Sequence, residues 1–73
     1  MTSKDLDIMN RCHEGAIRRM QAAAVAIAEA VAEGETPSKE MVSEYKLSRL
    51  GVESTRRDLE YCLALELAEI MDP

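Results

Sequence analysis

Phenylalanine and tryptophan are absent from this 73-residue chain, tyrosine and cysteine occur twice each, and glycine occurs three times. Each scarcity excludes something. With so few aromatics, a small helical chain cannot line the kind of cleft that small ligands need. The glycines, Gly15, Gly34 and Gly51, are scattered, so no phosphate-cradling loop is present. No apolar run approaches the ~20 residues a bilayer requires, which excludes a transmembrane span. The opening MTSKDLD is acidic, with no apolar run behind it, so no secretory signal is read there and a cytoplasmic location is expected. In that compartment Cys12 and Cys62 are expected to be reduced, small, buried side chains. The single histidine, His13, has Cys12 and Glu14 as neighbours, but consecutive residues point in different directions on a helix and cannot converge on a metal. No catalytic residue, metal or cofactor is expected, and the chain is not read as an enzyme.

Charge of one sign is also short. The net charge is −5, divided unevenly: residues 1–35 carry four bases and six acids, residues 36–57 five bases and three acids, and residues 58–73 five acids and no base. An acidic whole argues against nucleic-acid binding, whose affinity comes mostly from counterion release by clustered Lys and Arg. The acidic end suits solubility, or a basic protein partner.

What the chain has in abundance is alanine. Ala16, Ala23 and Ala30 recur at a spacing of seven inside an alanine-rich run, which combines high helix propensity with a narrow face that lets a neighbouring backbone approach. Leu6, Met9, His13, Ala16 with Ile17, Met20, Ala23 with Ala24, Ile27, and Ala30 with Val31 step by three and four, the period of an apolar helical stripe. Thr2 or Ser3 can cap this helix, with Asp5 placed as in a capping box. Gly34 stands where a left-handed C-terminal cap is wanted, and Thr36-Pro37 restarts the chain, with Thr36 as the cap and Pro37 as the first helical residue. The sequence therefore predicts an all-α fold: one antiparallel two-helix hairpin with a helix over 3–33, a turn over 34–36 and a helix over 37–71. An interior Gly51 followed by Ser54-Thr55 leaves open a kink or split in the second helix.

Folding at this turn pairs residues whose numbers sum to about 71, because both helices rise about 1.5 Å per residue. On that register Met20 faces Leu50 and Val52, Ile27 faces Met41 and Tyr45, and Leu6 with Met9 faces Leu59 to Leu65. His13 is expected beside Arg57 or Glu60. The second helix has more apolar residues than one seam can use. Met41, Tyr45, Val52 and Leu59 form one stripe, while Leu47, Leu50, Tyr61 and Leu65 form another. Near the open end, Ile8, Leu63, Leu67, Ile70 and Met71 are left over, among the acids Glu66 and Glu69. A chain this short hides only about 60% of its unfolded surface, so a partner is expected. Leu47, Leu50, Tyr61 and Leu65 are the expected interface of a homodimer forming a four-helix bundle, and the open end is the expected face for another, basic protein.

One segment carries a family resemblance. Leu47-Ser48-Arg49-Leu50-Gly51-Val52, followed by Thr55-Arg56-Arg57-Asp58-Leu59, resembles the helix-turn-helix of DeoR-type repressors, although the Ile before the paired arginines is missing and the gap is shorter. That resemblance implies a DNA-binding regulator with a helix-turn-helix over 41–63 and contacts from Arg49, Arg56 and Arg57. In architecture alone, the hairpin is similar to Rop-type plasmid regulators, to needle-subunit chaperones of type III secretion and to small phage-encoded inhibitors of host proteins. Together these features favour a non-enzymatic adaptor, chaperone or inhibitor that masks a protein surface, with DNA-binding regulation as the alternative.

Overall fold

The alanine-rich run carries the first helix to Ala32, and a glycine then turns the chain. The computed structural model describes residues 3–71, which form two helices, α1 (Ser3–Ala32) and α2 (Lys39–Met71), with no strand among them. This is an all-α helical hairpin. The expected stop at Asp72-Pro73 and the cap at Thr2 lie outside the described residues.

Gly34 has a φ of 80°, a backbone conformation that a side chain would strain. Its N–H donates to the Val31 carbonyl at 3.0 Å and the Glu35 N–H to the Ala30 carbonyl at 2.8 Å. These two bonds close a Schellman turn and satisfy carbonyls of the last turn of α1. The restart falls later than Thr36-Pro37. Ser38 is the cap: its Oγ accepts from the Met41 N–H at 3.2 Å, while its carbonyl accepts from the Val42 N–H at 3.1 Å. Serine caps somewhat better than threonine, and Pro37 is left just outside the helix.

The second helix is a single element through Gly51. Ser54-Thr55 does not start a fresh helix, because the Thr55 hydroxyl turns back on its own helix, donating towards the Gly51 and Val52 carbonyls at 3.0 and 3.1 Å. Ser48 does the same towards the Glu44 carbonyl. Such back-bonding lets short polar side chains sit in a helix without unpaired groups.

The two helices meet along one seam with a strict alternation of three and four. On α1 the seam runs Leu6, Met9, His13, Ala16, Met20, Ala23, Ile27 and Ala30. On α2 it runs Met41, Tyr45, Ser48, Val52, Thr55, Leu59, Cys62 and Glu66. Every one of these is buried or half-buried, the pattern of an antiparallel coiled coil. Among the described residues only Ala23, Ala30, Ser48 and Cys62 are buried rather than half-buried, and of these Cys62 alone is fully so. The molecule is accordingly a rod of 61 × 15 × 15 Å.

The two outer faces of α2 and the thiols depart from the sequence expectation. Leu50 points outward, so Met20 does not face it. At the open end the expected register holds, since Met9 faces the segment 59–65 through Cys62, whose Sγ lies on Met9 Sδ; within that segment Leu63 and Leu65 are exposed. Cys12 is exposed and Cys62 is 1% exposed, both as free thiols.

Gly34 and Gly15 should respond oppositely to the same change. Gly34→Ala is expected to cost about 1–2 kcal/mol, the penalty of a side chain in the left-handed region. Gly15 lies within α1, and an added Cβ meets nothing within 4 Å, so Gly15→Ala should gain up to about 1 kcal/mol from helix propensity. Urea unfolding of both variants tests this; a stabilising Gly34→Ala or a destabilising Gly15→Ala would contradict the turn and helix as described.

Candidate interaction surface

Within the seam, polar groups are matched across the helices. His13 Nδ1 lies 2.8 Å from Thr55 Oγ1. Thr55 Oγ1 also lies 3.0 and 3.1 Å from the Gly51 and Val52 carbonyls, so with its hydrogen given to either of these it is free to accept from the Nδ1–H tautomer of His13. The partner expected for His13 was Arg57 or Glu60. Thr55 takes that place because the seam brings the heptad position of Thr55 onto His13, while Arg57 and Glu60 point outward. Spacing alone could have found this, since Thr55 continues the series Met41, Tyr45, Ser48, Val52.

Outside the seam, charged groups form a thin rim. Arg19 pairs with Glu44 between the helices at 3.3 Å, and within single helices Arg11 pairs with Asp7 at 3.3 Å and Arg56 with Glu60 at 3.8 Å. All are well exposed, and such pairs are worth about 0–1 kcal/mol each. They steer orientation more than they hold the hairpin.

What remains is apolar surface. Leu47, Leu50, Tyr61 and Leu65 all lie in water in the single chain, as do Ile8, Leu63, Leu67, Ile70 and Met71, with exposures from 37% at Leu65 to 79% at Met71. Val25 and Val31 of α1 are more than half exposed as well; Val31, expected on the apolar stripe, falls off the seam because Ala30 takes the seam position beside it, and Ala24 is likewise exposed. Glu69 is exposed. Glu66, expected on the partner-facing surface, instead occupies a seam position: it is half-buried, and its Oε2 is shielded from water without a hydrogen-bond partner.

The total surface, polar and apolar together, is also large for the mass. The chain exposes 5716 Å², whereas a compact monomer of its 8.1 kDa mass exposes about 4,500 Å². The difference, roughly 1,200 Å², exceeds the ~800 Å² each partner contributes to a standard stable interface.

The arginines of the helix-turn-helix resemblance, Arg49, Arg56 and Arg57, are all exposed. Residues 41–63 nevertheless belong to one uninterrupted helix, so the turn that would separate a recognition helix from its support is not formed. No described helix is long and apolar enough to cross a membrane. No known protein family, curated protein or solved structure matches this chain.

Removing the seam hydrogen bond should be measurable. Thr55→Val keeps the shape but leaves His13 Nδ1 without its acceptor, and should cost about 1–2 kcal/mol. Thr55→Ser should retain most of the stability. Chemical denaturation of the three proteins decides it; an unchanged midpoint for Thr55→Val would show that His13 does not depend on Thr55.

Proposed function

We propose that this chain is a non-enzymatic protein-interaction module, which pairs with a second copy through Leu47, Leu50, Tyr61 and Leu65 to form a four-helix assembly. The observation that carries the reading is the roughly 1,200 Å² of surface beyond what a compact chain of this mass exposes. That excess is total surface of a rod-shaped chain; its exposed large apolar side chains, Leu47, Leu50, Tyr61 and Leu65 among them, are the part of it that a partner would cover.

The open end is the face offered to a different protein. Ile8, Leu63, Leu67 and Ile70 each supply about 1.5–3 kcal/mol when fully covered. Acidic residues dominate the last part of α2, with Asp58, Glu60, Glu66 and Glu69 and no base among 58–71. That sign favours a basic segment, because complementary charge speeds encounter and rejects acidic competitors. The mechanism is steric: an apolar, basic stretch of the target is covered and withheld from its other contacts.

A single substitution tests the self-association. Leu65→Asp places a charge in the proposed interface while leaving the seam untouched. Light scattering should give twice the 8.1 kDa chain mass for the parent protein and one chain mass for Leu65→Asp, with helical circular dichroism retained. An identical mass for the two proteins would reject the assignment of Leu65.

A further inference from the structure

The outward face of α2 carries a second heptad series, which begins at Leu47 and ends at Met71 and lies on the side of the helix turned away from α1. Its members are all exposed. Steps of three and four alternate along it, so the series reads the same in both directions about its midpoint, level with Leu59. From this geometry, and resting on the self-association proposed above, we infer that the occupant of this face is α2 of a second copy, running antiparallel about a two-fold axis at the level of Leu59.

Two observations choose a second copy in that orientation. The first is charge. Within α2, residues 39–57 carry five bases and three acids, whereas residues 58–71 carry four acids and no base. Antiparallel pairing sets the basic half of each helix along the acidic half of the other and opposes their macrodipoles; parallel pairing would set like on like. The second is the match of side chains that the two-fold imposes. Leu50 falls opposite Ala68 of the partner copy and Ser54 opposite Ala64, with large set against small or small against small, and Leu47 with Met71 closes each end.

At the centre the two-fold brings Arg57 onto Tyr61 of the other copy. Arg57 makes no ion pair or ring contact within its own chain among the described residues, and a guanidinium over a tyrosine face is a favourable contact. Asp58 and Glu60 of both copies flank the axis, and the two Arg57 charges offset the repulsion those acids would otherwise meet. Leu65, on the edge of the series, falls beside Gly51 of the partner copy, where an added Cβ would meet nothing within 4 Å in the single chain. The four helices then lie nearly in a row, α1 outermost on each side, with the outer stripe about 150° around α2 from the seam.

Disulfide trapping between differently labelled chains tests this arrangement. In a Cys12→Ser background, with the buried Cys62 left in place, Ser54→Cys and Ala64→Cys chains are prepared separately and mixed under mild oxidation, and native mass is measured in parallel. The expected result is a cross-link only in the mixture, because the two-fold brings position 54 onto position 64 while keeping each about 15 Å from its own counterpart along the axis. Self-linking of the Ser54→Cys chain would mean parallel pairing and overturn the inference. A doubled mass without the mixed cross-link would overturn this face and register while leaving self-association standing. A single-chain mass would overturn both.

Discussion

Two helices can touch along only one line, and every feature of this molecule follows from that constraint. In a larger bundle each helix meets two or three neighbours and buries a broad face; here each buries a strip one residue wide on either side of the contact. The strip is filled largely by alanine, serine and cysteine at its closest points. Small side chains let the backbones approach, but they take little apolar area out of water. The hairpin is therefore closely fitted and weakly driven, and many of its larger apolar residues are on the outside.

The seam defines register more than it supplies stability. Apolar contacts alone would let one helix slide by a heptad against the other, since alanine at a spacing of seven looks the same after such a slip. His13 and Thr55 break that degeneracy, because a half-buried imidazole finds its acceptor in only one alignment. Cys62 against Met9 marks the same alignment near the open end, and the Ser38 cap and the Schellman turn at Gly34 fix it at the other. Polar groups in a helical seam commonly trade stability for a unique pairing, and a chain with so thin a core has need of that.

Much of this was legible from residue order. The three-and-four spacing of α1, the glycine at its end and the short return give a helical hairpin without further information. The surplus of apolar residues on α2 was visible too, because Leu47 and Tyr45 cannot face the same neighbour. What was not legible depended on side-chain competition. Thr36 and Ser38 both offer a capping hydroxyl, and only the geometry after Pro37 chooses between them. Thr55 looked like a cap for a new helix, yet its hydroxyl is satisfied by the backbone it belongs to, which removes the reason for a break at Gly51. From spacing alone Leu50 fits both opposite Met20 and in the outer stripe with Leu47; the heptad phase set by Ser48, Val52 and Thr55 leaves it only in the outer one.

An exterior richer in leucine and isoleucine than the interior supports the proposed association, which would make stability a function of concentration. The most direct measurement is thermal unfolding, followed by circular dichroism over a hundredfold range of protein concentration. The account predicts a midpoint that rises steadily with concentration, as dissociation and unfolding become one transition. A reversible, two-state transition with the same midpoint at every concentration would contradict it, because the single hairpin would then hold itself together with its large apolar side chains in water.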